Sequence, residues 1–124
     1  MRKIAPMKNL LRPDLNFRLT GRLWVESADD RFMGIGRLEL LRLIREQGSI
    51  SKAAQAMGMS YKRAWELVSS LNTQAAVPLV LTQTGGKRGG GTVVTAEGEA
   101  LIAEFEALQV RFEAFLAAEV ARMF

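Results

Sequence analysis

Two pairs of adjacent basic residues have the types and the surroundings that suit binding to a polyanion. The first pair, Lys62 and Arg63, follows Ser60 and Tyr61. Serine is a good N-cap, so the pair is expected in the first turn of a helix, where free backbone N–H groups also attract anions. A basic side chain there can donate to phosphate oxygens or to O6 and N7 of guanine, and the sequence leaves both contacts open.

The second pair, Lys87 and Arg88, lies in the glycine-rich run 85–91. The run is not a P-loop, because no Ser or Thr follows the lysine, and it opens no helix as a dinucleotide-binding loop does. β-prone residues on both sides, 79–84 and 92–95, predict a hairpin whose cationic tip approaches the sugar-phosphate backbone. The alternative is a solvated hairpin tip without a role.

Three helices are expected to position these residues. Helical spacing of apolar residues predicts the first over 36–47 and the second over 51–57. Gly58 supplies the left-handed residue of a sharp turn, and Ser60 begins the third helix. The buried stripe expected for the third helix is Tyr61, Ala64, Trp65, Val68 and Leu71, whereas Lys62, Arg63, Glu66, Ser69 and Ser70 are expected to face outward.

The segment before these helices has two parts. Residues 1–16 carry scattered charges without a period and are interpreted as a flexible basic arm. Residues 17–26 alternate apolar and polar side chains, which predicts a half-buried strand, and 31–33 is a candidate return strand.

A long final helix is predicted after Thr95 as its N-cap. Its apolar residues step by four and three, which is typical of a seam between two helices. Because the preceding elements look able to form a core alone, the seam favours a dimer over one more core helix. The seam residues are Leu101, Phe105, Leu108, Phe112 and Phe115.

Composition excludes several classes of function. The 124 residues contain no His and no Cys, so zinc fingers, catalytic triads and disulfide frameworks are excluded, and no metal or cofactor is expected. The formal charge of +4 is unevenly spread, with six basic and one acidic residue in 1–22 and the reverse in 96–119. No apolar stretch approaches the roughly 18 residues of a membrane span, so an intracellular, cytoplasmic protein that presents one surface to a polyanion is expected.

Three segments of the chain resemble a known family. They are 48–54, Ser60-Tyr-Lys-Arg-Ala-Trp65 with Asn72, and 84–91. They are similar to the N-terminal DNA-binding domain of ModE-type molybdate-responsive transcriptional regulators, whose winged helix-turn-helix is related to that of LysR-type regulators. The similarity covers about 18–116, and 94–98 resembles the start of the LysR-type linker helix.

The resemblance implies a homodimer joined through the last helix and the N-terminal strand region. It also implies a third helix in the major groove and a wing on the DNA backbone. The DNA-binding residues expected are Ser51, Lys52, Ser60, Tyr61, Lys62, Arg63, Thr84, Lys87 and Arg88. Family members continue into an oxyanion-binding domain without a counterpart here, so molybdate sensing is not carried over. In a single-domain protein it is expected to be absent or to lie in a separate partner, and the alternative is a longer form of the chain.

The expected fold is therefore mainly α with a small β wing, divided into an arm (1–16), a winged helix-turn-helix domain (17–95) and a dimerisation helix (96–124). The expected function is regulation of molybdenum-related genes by a homodimer on double-stranded DNA, without catalysis. A winged-helix docking module that binds proteins instead of DNA is the alternative.

Overall fold

Helices make up most of the computed structural model, which describes residues 4–28, 30–83 and 91–124. The helices are α1 (Ile35–Gln47), α2 (Ile50–Met57), α3 (Tyr61–Gln74) and α4 (Ala96–Met123). The strands are β1 (Val25–Glu26), β2 (Arg31–Met33), β3 (Val80–Gln83) and β4 (Gly91–Val94), and a short 3₁₀ turn spans Met7–Leu10. The strands form two antiparallel pairs, β1 with β2 and β3 with β4. The predicted helices and the hairpin between the third and fourth helices are thus confirmed.

Residues with special backbone roles end and begin the helices as the sequence predicts. Gly48 ends α1 and Gly58 ends α2, both with a left-handed backbone at φ 64° and 68°. Ser60 caps α3 by accepting a hydrogen bond from the backbone N–H of Arg63. Thr95 caps α4 by accepting from the N–H of Gly98. These local contacts fix where α3 begins, and therefore which residues occupy its first turn.

The core lies between α1, α2 and α3 and also includes the first half of α4. Leu41 and Ile44 of α1 and Leu71 of α3 are fully buried, and Ile102 and Phe105 of α4 are almost as inaccessible. Two ion pairs reinforce the contact of α4 with α1: Arg42 lies 2.6 Å from Glu106 and Arg45 lies 3.0 Å from Glu99. The expectation that the earlier elements form the core without the last helix is therefore wrong.

The predicted dimer seam divides into two parts in the structure. Phe105 is only 2% exposed and belongs to the core of its own chain, with Leu101 and Leu108 packed beside it. Phe115, further along α4, is 56% exposed. A heptad pattern does not distinguish a helix packed on its own domain from one packed on a partner. Over its first half, α4 packs on its own domain.

The strand predicted over 17–26 is wrong except at its end. Only Val25 and Glu26 form a ladder, with Met33 and Arg31. Among the described residues, no further strand lies beside 17–24, so the alternating pattern has no backbone partner there. The segment instead lies along the end of α4, where the ring of Phe17 stacks on that of Phe124 at 6.4 Å between centroids.

Candidate nucleic-acid interface

Small residues bring α2 and α3 close together. Ala53 and Ala54 of α2 and Ala64 of α3 are buried, and none has a side chain long enough to separate the helices. The backbone N–H of Met59, in the turn, donates to the carbonyl of Ala54 at 3.0 Å. The result is a helix-turn-helix in which the outer side of α3 stays accessible.

The N-terminal ends of α2 and α3 meet the stem of the β3–β4 hairpin. A cavity of about 250 Å³ is bordered by Ser51 at the start of α2, Tyr61 at the start of α3, and Gln83 and Thr92 of the hairpin. Both helix ends carry the partial positive charge of the helix dipole. Ser51 and Lys52 are exposed in the first turn of α2, and Ser51 borders the same cavity as Tyr61.

The first turn of α3 presents its basic pair to solvent. Lys62 and Arg63 are both exposed, as the sequence predicts. The Arg63 guanidinium lies 3.8 Å from the carboxylate of Glu66, with both side chains largely exposed, so the pair contributes little stability and leaves Arg63 available.

Two aromatic residues of α3 lie outside the core, contrary to the predicted stripe. Tyr61 is 56% and Trp65 is 52% exposed. The reason is Leu67, which the sequence stripe omitted and which packs into the core. At 100° per residue, burying Leu67 with Ala64 and the other core residues turns the helix and moves Tyr61 and Trp65 outward.

The β3–β4 hairpin is fixed to α3 through one side chain. The Asn72 amide donates to the carbonyl of Val80 at 2.9 Å, and its oxygen accepts from the N–H groups of Leu79 and Val80. The N–H of Thr92 donates to the carbonyl of Gly48 at 3.0 Å, which joins the hairpin to the α1–α2 junction. The hairpin stem is therefore held beside the start of α3, whereas the predicted contacts Thr84, Lys87 and Arg88 lie outside the described residues.

A polar network that the sequence did not reveal holds the β1–β2 hairpin against α3. Arg37 is buried and donates to the Ser70 hydroxyl at 3.0 Å, and Ser70 donates to Asp30 at 2.8 Å. Gln74 donates to Ser70 and to the carbonyl of Arg31. Ser70 was expected to face solvent, and the four-residue spacing of Ser70 and Gln74 on α3 was the available signal.

The hydrogen bonds and the burial of this network shift the pKa values of its two charged residues, Asp30 and Arg37. The pKa of Asp30 lies below its usual value because the Ser70 hydroxyl and the Arg31 backbone N–H stabilise the carboxylate, with Arg37 adding to the effect. Burial lowers the pKa of Arg37, and Asp30 opposes that shift. Asp30 thus gives the buried guanidinium an opposite charge within the network and helps to join the β1–β2 hairpin to α1 and α3.

Metal and membrane sites are not found in the parts of the chain that the structure covers. There, no three acidic side chains gather as a metal site would require. None of the helices in those parts is both long and apolar enough to cross a bilayer.

Residues 35–99, from α1 to the first turn of α4, match the family described as bacterial regulatory helix-turn-helix protein, lysR family. The chain belongs to that family. A crystal structure of a LysR family transcriptional regulator superposes with a TM-score of 0.50 at 20% identity, over 64% of this chain and 26% of that one. This likeness confirms the winged-helix fold of the lysR family.

Curated relatives confirm the resemblance to ModE-type regulators. The molybdenum-pterin-binding protein MopB of Rhodobacter capsulatus is 49% identical over 73 residues, which are 59% of this chain and 27% of that protein. The transcriptional regulator ModE of Yersinia pestis is 43% identical over 88 residues, 71% and 30% of the two chains. The DNA-binding transcriptional dual regulator ModE of Escherichia coli K12 is 46% identical over 66 residues, 53% and 25%. The chain therefore spans about a quarter to a third of the length of these relatives.

Proposed function

We propose that this chain is a transcriptional regulator that recognises operator DNA as a homodimer. In this proposal α3 enters the major groove, the first turn of α2 contacts phosphates, and the β3–β4 hairpin lies along the backbone. The convergence of the two helix N-termini and the hairpin stem at one exposed surface carries the proposal. The exposed Lys62 and Arg63 add the cationic donors that a DNA groove requires.

The genes proposed as targets are those of molybdenum transport and metabolism. The support is the names of relatives of which this chain covers 25–33%. One of them is the molybdenum transport protein ModE of Azotobacter vinelandii, 41% identical over 69 residues. The proposal assigns binding and no catalysis to the chain, and it implies a cytoplasmic site of action because bacterial operators are there.

The second half of α4 supports the homodimer. The helix is 28 residues long, about 42 Å, yet its buried residues Gly98, Ile102 and Phe105 all lie in its first half. Phe115 projects from the second half, beside an N-terminal segment whose Leu10, Leu15 and Phe17 are also exposed. We expect a two-fold partner to cover these apolar groups, and two copies of α3 that read adjacent half-sites would lie roughly 34–36 Å apart, one turn of DNA.

The experiment that tests the function is a fluorescence-anisotropy titration of labelled duplexes with the whole chain. Random and palindrome-enriched duplexes are compared at two salt concentrations, with and without molybdate. The proposal predicts a steep loss of affinity with salt and selection of a two-fold symmetric site. Absence of binding at low salt would contradict it and favour a protein-docking module, and a response to molybdate would place sensing in this chain instead of elsewhere.

The hairpin tip is expected to contribute sequence-independent affinity. Replacing Lys87 and Arg88 with alanine should weaken binding to all duplexes by a similar factor and reduce the slope of log affinity against log salt by about 1 for each lost phosphate contact. The measurement is the same titration at four or more salt concentrations. An unchanged slope would show that the tip does not reach the DNA backbone.

Dimerisation is expected to depend on one face of α4. Phe115→Glu puts a charge on the seam and should shift the chain to monomers in sedimentation velocity. Val110→Glu is the matched control, because Val110 is also exposed but lies about 140° from Phe115 around the helix. Equal sedimentation of the two variants would contradict a dimer seam at Phe115.

A further inference from the structure

Trp65 is a large apolar side chain that this fold leaves half in water. It lies in the second turn of α3 and is 52% exposed, because Leu67 and the other buried residues of the helix occupy its core face. Tyr61, one turn earlier, is 56% exposed on the same side. The bulk of the indole is therefore directed at the surface that the proposed function brings to DNA.

Two cavities that flank α3 show where Trp65 lies on the helix. One, of about 540 Å³, is closed on its far side by Ser27 and Asp30 of the β1–β2 hairpin. The other, of about 320 Å³, is closed by Ile50 and by Thr82 of the β3–β4 hairpin. Of the residues that the structure describes, three border both cavities: Trp65, Ser69 and Thr73. They therefore form the ridge of α3 between the two hairpins, and Trp65 is its N-terminal member.

The ridge is chemically mixed, which restricts what it can recognise. Ser69 and Thr73 are hydroxyl residues, Lys62 and Glu66 flank them, and the indole supplies the apolar area. A protein-docking patch would need contiguous apolar surface, which these polar neighbours interrupt. The major groove of DNA offers hydrogen-bonding edges together with one apolar feature, the C5-methyl group of thymine.

We propose that Trp65 contacts thymine methyl groups in the major groove and so sets a preference for A·T pairs at fixed positions of each half-site. Lys62 and Arg63, in the preceding turn, then contact phosphates or guanines on either side of that position. The inference rests on the proposed DNA binding and adds to it the residue and the base feature that determine specificity.

The test is a double-mutant cycle that removes the thymine methyl group from the DNA and the indole of Trp65 from the protein, singly and together. The duplex is the site that the whole chain selects from a randomised library, and each thymine is replaced singly by uracil, which lacks only the methyl group. For the wild-type chain, uracil at one or two symmetric positions should weaken binding about four-fold per methyl, the factor that corresponds to the roughly 0.8 kcal/mol of a buried methyl-sized group. For Trp65→Ala, thymine and uracil should bind equally at those positions.

Two controls separate this contact from a loss of structure. Trp65→Phe keeps an aromatic ring and should retain part of the thymine preference. Circular dichroism and thermal unfolding of Trp65→Ala should match the wild type, because the removed side chain is half exposed and lies outside the core. If Trp65→Ala unfolds, Trp65→Phe and the uracil series on the wild-type chain still decide the question.

Each other outcome contradicts the inference. Uracil duplexes that bind as well as thymine duplexes, a selected half-site without A·T pairs, or a thymine preference that persists in Trp65→Ala would each overturn it. These results leave specific binding intact, whereas a chain that selects no duplex at all would overturn the proposed function itself.

Discussion

Replacing Phe105 with alanine is expected to lower the free energy of unfolding by about 3–5 kcal/mol. The ring is 2% exposed and lies in the cluster that joins α4 to α1, so its removal leaves a cavity as well as lost apolar burial. A domain of this size has a total stability of about 5–15 kcal/mol, so the loss is a large fraction of it. Urea unfolding followed by circular dichroism measures the change.

Phe115→Ala is the matched control for this prediction. It removes the same atoms from the same helix, but from a ring that is 56% exposed. Because the stability of a dimer depends on concentration, both variants are unfolded at two protein concentrations. The Phe105 loss should be the same at both, and any Phe115 loss should appear only where dimers form. Equal losses for the two variants at the lower concentration, where the chain is monomeric, would contradict the core role of Phe105.

Removing both basic residues from the first turn of α3 is expected to have the largest effect on DNA binding. Lys62→Ala combined with Arg63→Ala should weaken binding to the selected site by at least roughly 100-fold, since each charged hydrogen bond contributes about 1.5–3 kcal/mol. Both side chains are exposed and outside the core, so the fold should persist. Anisotropy titrations of the double and the single variants measure the loss.

The control for net charge is Arg111→Ala combined with Arg122→Ala on α4. Both arginines are exposed, and the change from +4 to +2 equals that of the test variant. Because they lie four and seven residues from Phe115, on the same side of α4, sedimentation velocity first verifies that this control still dimerises. This control should lose little affinity, and a loss as large as that of the α3 variant would contradict a local contact. If Arg63 contacts a base, the single variant Arg63→Ala should lose more affinity for the selected duplex than for random duplexes. An equal loss of affinity for both kinds of duplex would assign Arg63 to phosphate contacts.

The features predicted correctly from sequence are those that local chemistry determines. A serine or threonine oxygen at a helix start and a glycine in the left-handed region need only a few neighbouring residues. Ser60, Thr95, Gly48 and Gly58 therefore gave the ends of the helices, and with them the positions of Lys62 and Arg63 at the start of α3.

The features predicted wrongly depend on which distant part of the chain, or which partner, packs against the helix or strand. An apolar stripe fixes the face of a helix only to within the width of one residue, and Leu67 decided the rotation that exposed Trp65. The alternation over 17–24 needs a second strand, and among the described residues the chain supplies none there. The seam on α4 has the same ambiguity, because Phe105 and Phe115 share one face but only Phe105 meets the core of its own chain.

The polar network around Arg37 was not predicted, because the spacing of Ser70 and Gln74 indicates a polar face of α3 but not the partners that the β1–β2 hairpin and α1 bring to it. Ser70 follows Arg37 by 33 residues and Asp30 by 40, whereas Asp30 and Arg37 are 7 residues apart. Each of these residue types is common on protein surfaces. Only the folded chain brings them together, and burial of the guanidinium then makes its partners necessary.

The contact of α3 with DNA can be tested directly, since the chain contains no cysteine. A single Thr73→Cys variant, exposed at the end of the α3 ridge, is coupled to an iron chelate that cleaves nearby DNA, and anisotropy first verifies that it still binds. Bound to the selected duplex, it should cut in two symmetric clusters roughly one helical turn apart. The same chelate on Glu104→Cys of α4 should not give those clusters. Identical cutting from both positions, or no localised cutting from position 73, would contradict the account of α3 as the element that reads DNA.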